Sequence, residues 1–223
     1  MANWEPLIQR VTDHKDKQYA YQWQIEQYHK AMDCGFYFEA FIIDYALLED
    51  RLRQALYDIG LTQTEFDYEV TDSDSERVKA FKDIVKNYRE RENLDNRMNI
   101  KIIKNIGVKR NIVAAVFQYA RNSENENSDD AVKRTLYQAL HDEARCDEVL
   151  TLLNGRDEND VNCIRGWCGY RDEITHALMN KNVDSLLKEV ADKARDGFLF
   201  FRKLDNYVGW IENKHIREKL GME

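Results

Sequence analysis

Residues 36–60 read FYFEAFIIDYALLEDRLRQALYDIG, and their apolar spacing decides the fold class. Phe41, Ile42, Tyr45, Leu48, Leu52, Leu56 and Ile59 recur at intervals of three and four, which places them along one face of a helix with 3.6 residues per turn. Gly60 follows the last of them and is expected to stop the helix. On the N-terminal side the same period first appears at Tyr19, Trp23 and Tyr28.

The pattern continues down the chain. Ser73 or Ser75 is placed to cap a helix with Val78, Phe81, Val85 and Tyr88 inward, after a polar stretch from Leu61 to Asp74. Leu94 to Tyr119 carries Ile103, Ile106, Ile112, Val116 and Phe117, with Gly107 as a break or kink. The run 122–130 (NSENENSDD) reads as a solvated loop whose Ser128 caps the next helix, with Val132, Leu136, Leu140, Val149 and Leu153 inward and an end at Asn154 and Gly155. A segment from Asp160 to about Asn180 follows. Asp184 or Ser185 then opens a long last helix with Leu186, Val190, Phe201, Leu204 and Val208 facing the core.

Composition agrees. A single proline and nine glycines leave few breakers, and the remaining residues favour helix. The expected fold is all-α: an up-and-down bundle of six to seven helices forming one domain over residues 1–223, with its core at about 16–211 and frayed ends. No strand pair and no repeat period emerge.

The net charge of −8 argues against a broad face for duplex nucleic acid, which needs cations against many phosphates, yet leaves room for a small basic cleft. Cys34, Cys146, Cys163 and Cys168 lack CxxC spacing and read as reduced thiols of a cytoplasmic protein. Met1 to Asp13 lacks the charge and apolar pattern of a secretory signal, and no run approaches the roughly 20 apolar residues that span a bilayer. A membrane partner is not expected.

Three constellations bear on chemistry. Glu-x-x-His occurs at Glu26/His29, Glu173/His176 and Glu212/His215, the spacing that a di-metal carboxylate bundle uses, although ordinary helix pairing at i, i+3 explains all three. Trp23, Tyr28, Phe36, Tyr37, Phe38, Phe41 and Tyr45 would suit base stacking, but their spacing is that of a core. Tyr170-Arg171-Asp172-Glu173-Ile174-Thr175-His176 sets an arginine and a histidine on a late helix with four residues between them. A second arginine and histidine, Arg134 and His141, have six residues between them. Gly-rich phosphate loops and a G-x-S-x-G elbow are absent.

Along Val161, Ile164, Trp167, Cys168, Arg171, Thr175 and Leu178 the spacing is helical, which puts Arg171 on the stripe expected to be buried. A buried guanidinium needs a partner or a cavity, and Glu49 or Asp44 across the bundle would serve. His176 follows about 140° around and about 7.5 Å along a straight helix, with Asp172 four residues before it to orient the imidazole.

The Arg171–His176 element resembles the R-x(4–6)-H motif of the HEPN (higher eukaryotes and prokaryotes nucleotide-binding) superfamily, although the usual residue after the arginine is asparagine and here it is Asp172. The helix from Phe38 to Leu52 resembles the long amphipathic helix that opens many HEPN domains. In architecture the resemblance covers Gly35 to Tyr207; in residues it covers these two stretches. It implies a metal-independent endoribonuclease without cofactor or bound metal, with Arg171 and His176 catalytic and Asp172 and Glu49 supporting. It further implies single-stranded RNA as substrate, a homodimer that joins two motifs, and a toxin, abortive-infection or anti-phage role with a possible antitoxin. A non-catalytic HEPN-like interaction module and the di-metal bundle stand as alternatives.

Overall fold

The computed structural model of the protein describes residues 14–64, 75–92, 105–157, 159–177 and 182–222, the side chains of residues 14, 172 and 175–177 excepted. Among these residues the structure is an all-α bundle without a strand. Its helices are α1 (His14–Asp33), α2 (Tyr37–Asp58), α3 (Glu76–Arg91), α4 (Ile106–Arg121), α5 (Ala131–Leu140), α6 (Glu143–Asn154), α7 (Ile164–Ala177), α8 (Val183–Glu212) and the single turn α9 (Ile216–Lys219). None of the described helices is long and apolar enough to cross a membrane.

Short polar side chains start these helices by accepting the amides that the first turn leaves without partners. Ser75 takes the Val78 amide, Asn105 those of Gly107 and Val108, Asp142 that of Arg145, and Asn182 those of Asp184 and Ser185. The start of α5 falls to Asp130, which takes the Val132 and Lys133 amides, rather than to Ser128. Likewise Asn182 opens α8, ahead of the expected Asp184 or Ser185. The stretch read as one helix up to Asn154 is two, because Asp142 caps α6 one residue after His141 has turned extended. Eight helices of ten or more residues result, against the expected six or seven. Ser73, Leu94, Ile103, Leu178 and Asn180 lie outside the described residues.

The long helices α2 and α8 form the centre, and α1, α4, α6 and α7 pack around them. Phe41, Leu48, Leu52, Leu56 and Ile59 are buried as the spacing requires, whereas Ile42 is 67% exposed. The buried stripe of α2 instead runs through Ala40, Asp44, Leu47 and Ala55. All five core residues predicted for α8 are buried. On α1 only Tyr28 of the predicted set is buried; Tyr19 and Trp23 face outward.

Residues 212–222 dock against the core. Ile216 is buried, and the Arg217 guanidinium stacks 3.8 Å from the Tyr57 ring centroid and donates to the Tyr57 and Thr62 carbonyls. Gly60, at φ 84, closes α2 beneath this segment, and a Cβ there would come within 2.8 Å of Leu220.

Where α8 crosses α7 and α2, Gly197 lets the helices approach: an added Cβ would lie 2.6 Å from the Trp167 ring and 2.9 Å from the Asp44 carboxyl. Trp167 is held by its own indole N–H, which donates to the Lys193 carbonyl at 2.7 Å. Gly197→Ala should therefore destabilise the protein by about 1–3 kcal/mol, as overpacking does, despite the better helix propensity of alanine. Urea denaturation of the two proteins checks this.

Candidate functional site

A cleft of about 510 Å³ opens between α2, α4 and α7, lined by Tyr45, Glu49, Asn105, Ile106, Gly107, Arg110, Arg165, Cys168, Gly169 and Arg171. Each helix contributes through its register. From α7, Arg165, Cys168 and Arg171 recur every three residues and share one side, while Ile164, Trp167, Tyr170 and Ile174 on the other side are buried. From α2, Tyr45 and Glu49 are one helical turn apart. From α4 come the N-terminus and Arg110, one turn further in.

The side of α7 that faces the core differs from the expected one. Tyr170, not Arg171, occupies the buried position, and Arg171 is exposed. Val161, counted in the expected stripe, precedes the helix and is also exposed. Burying the Trp167 and Tyr170 rings against Phe41, at centroid distances of 4.6 and 6.2 Å, removes apolar area from water without desolvating a charge. Those contacts join α2 to α7. Arg171 lies over the outer face of Tyr45, its guanidinium 4.7 Å from the ring centroid. Burial raises the Tyr45 phenol pKa, and the nearby Arg171 charge opposes that shift.

Neither expected carboxylate pairs with Arg171. Glu49 accepts from the Lys109 ammonium at 2.5 Å, and Asp44 is buried with neither oxygen bonded among the described residues. Of the predicted site residues, Arg171 and Glu49 thus share the cleft, though not as a pair. Asp172 and His176 belong to α7, and their side chains lie outside the described residues.

Lys109 is 1% exposed, so burial lowers its pKa while its bond to Glu49 works the other way. Glu49→Ala would remove the carboxylate that this ammonium bonds. Since Glu49 is itself 27% exposed, the expected loss is about 2–3 kcal/mol, below that of a fully buried pair. Thermal melts should show the loss, and Lys109→Met in the same background should recover most of it.

Arg110 is 9% exposed. Its Nη2 donates to the Asn111 side chain at 2.7 Å, and burial lowers its pKa. Arg165 donates from Nη2 to the Asp157 carbonyl at 2.6 Å. Burial pushes the Cys168 thiol up to about 12, so it is neither an anion nor an activated nucleophile at neutral pH. The lining also carries the guanidinium groups of Arg110, Arg165 and Arg171. Such a cleft can hold an anion and stabilise charge growing on it.

The other sequence signals resolve differently. His141 of the second arginine–histidine match places Nδ1 2.8 Å from the Ala120 carbonyl and stacks on Tyr137, while Arg134 holds the Ser128 carbonyl. His29 packs edge-on against Tyr28 and Phe198, and His215 pairs with Glu218. Among the described residues no three histidine, cysteine, aspartate or glutamate side chains are grouped to hold a metal ion. The four cysteines are free thiols.

Sequence reading missed Arg110 and Arg165. The i, i+3, i+6 spacing of Arg165, Cys168 and Arg171 was the available signal for one of them. Nothing local marks Arg110, which follows Lys109 in an amphipathic helix as any surface cation would. Compared with family models, curated proteins and solved structures, the chain shows no match.

Proposed function

We propose that the protein is a metal-independent endoribonuclease of HEPN type, acting in the cytoplasm as a homodimer. The observation that supports this reading is the position of Arg171, exposed at a cleft it shares with Arg110 and Arg165.

In the proposed reaction His176, five residues beyond Arg171 on α7, takes the proton of a ribose 2′-OH. The 2′-oxygen attacks the adjacent phosphorus, and the bond to the 5′-oxygen breaks. Arg171 neutralises the charge that grows on the non-bridging oxygens, since guanidinium is always charged and matches two oxygens at once. His176 of the second protomer, protonated, returns a proton to the leaving 5′-oxygen. The products are a 2′,3′-cyclic phosphate and a 5′-OH. Asp172, one turn before His176, orients the imidazole, and Glu49 at the cleft wall holds the buried Lys109. A toxin or anti-phage role with a dedicated antitoxin would follow from unrestrained cleavage of cellular RNA.

The test is cleavage of single-stranded RNA in EDTA by the folded wild-type protein. A bell-shaped pH profile is expected, because one imidazole must be neutral and the other protonated. A folded protein that leaves RNA intact at every pH from 5 to 9 would sink the reading.

A further inference from the structure

We infer that the cleft between α2, α4 and α7 is a binding pocket for a terminal phosphate monoester, with Arg110 as its buried anchor. The inference takes from the ribonuclease reading only that phosphate enters this cleft; it requires no cleavage.

Arg110 carries the argument. It is more than nine-tenths buried, and its Nε and Nη1 have no hydrogen-bond partner among the described residues. Its one bond, to the Asn111 side chain, is to a neutral acceptor. A buried cation normally has a carboxylate beside it, because desolvating an unpaired charge costs several kcal/mol. The carboxylate that lines the same cleft, Glu49, is already bonded to Lys109. Among the described residues Arg110 has no carboxylate partner, and the cleft it lines is a route by which an anion from outside the chain can reach it.

The rest of the lining favours a dianion. Arg165 and Arg171 add two more guanidinium groups, and the N-terminus of the 16-residue α4 points its positive end at the same space. Asn105 already occupies the Gly107 and Val108 amides, so the helix end acts through its field. Guanidinium groups lining one cleft suit the charge of about −2 on a phosphate monoester at neutral pH. A volume of about 510 Å³ exceeds what phosphate alone fills and lies in the range of small-ligand pockets. The ligand is thus a mononucleotide-sized monoester or the 5′-phosphorylated end of a strand.

The experiment is thermal melting of the full chain in sodium phosphate against sodium chloride at matched ionic strength. Phosphate at about a hundred times its dissociation constant should raise the melting temperature by roughly 5–10 °C. The shift should weaken as pH falls through about 6, where the monoester takes up its second proton. Adenosine monophosphate should act at lower concentration, and adenosine should not act. A 5′-phosphorylated deoxyoligonucleotide that reproduces the shift assigns the site to strand ends; a shift from the mononucleotide alone assigns it to free nucleotide.

Two variants locate the site. Arg110→Met should lose the phosphate shift while melting at or above wild type without phosphate, because an unpaired buried charge is gone. Gly169 lines the cleft with nothing within 4 Å of where its Cβ would stand, so Gly169→Leu should fold normally and also lose the shift by filling the space. Equal shifts from chloride and phosphate, or an undiminished phosphate shift in Gly169→Leu, would overturn the inference. RNA cleavage in EDTA with no phosphate shift would leave the ribonuclease standing and remove this pocket; a phosphate shift with no cleavage would do the reverse.

Discussion

Asp44→Asn should flatten the pH dependence of folding stability between about pH 4 and 9, and should stabilise the protein at pH 7. Asp44 is fully buried on α2, neither oxygen is bonded among the described residues, and burial pushes its carboxyl from 3.8 to about 9. The folded protein therefore keeps the acid neutral while the unfolded chain ionises it. Stability is undiminished below about pH 4, where both states are protonated. It falls by about 1.4 kcal/mol per pH unit as pH rises toward 9 and levels off once the folded form also ionises. At pH 7 the accumulated cost is about 4 kcal/mol. Asparagine has the same shape and no proton to lose, but its buried amide costs about 1–3 kcal/mol, so a net gain on the order of 2 kcal/mol is expected. Urea denaturation of both proteins from pH 4 to 9 gives the comparison. Other titrating groups are common to both, so parallel curves would show that Asp44 ionises inside the fold. The close approach of Gly197 explains why the site admits no partner: the Trp167 ring and the α8 backbone close over the carboxyl.

His176→Ala is expected to lower RNA cleavage by about 10²–10⁴-fold, the range of a lost general base. Arg171→Lys should lower it by at least about 10²-fold, because an ammonium cannot hold two phosphate oxygens in one plane. These are expected losses of rate, not of fold. Arg171 sits over the outer face of Tyr45 at an exposed position, and a lysine there keeps a weaker attraction to the ring at a cost below about 1 kcal/mol. Circular dichroism and melting temperature should be unchanged in both variants. Binding of a deoxyribose strand, which lacks the attacking hydroxyl, separates the roles: His176→Ala should bind it as wild type does, and Arg171→Lys more weakly. A folded His176→Ala that cleaves at the wild-type rate would remove the mechanism and leave an RNA-binding or interaction role.

What the sequence determined by itself was the helical class, most of the helices and most of their inward faces. Apolar spacing is a local property: Phe41, Leu48, Leu52 and Leu56 can share a face only if the backbone between them is helical, and nothing elsewhere in the chain is needed to say so. Caps are nearly as local, although Asp130 and Asn182 prevailed over the expected Ser128 and Asp184. The tertiary structure decided which of two adjacent positions on a helix is buried. On α7 the choice between Tyr170 and Arg171 depends on Phe41 and Tyr45 across the bundle, since an aromatic wall gains more from a ring than from a guanidinium. The buried charges were equally illegible. Lys109 finds its carboxylate 60 residues away at Glu49, Asp44 is enclosed by α8, and Arg110 is enclosed where α4 meets α7. Each of those environments is made by helices distant in sequence, and a cleft assembled from α2, α4 and α7 exists only once all three have packed.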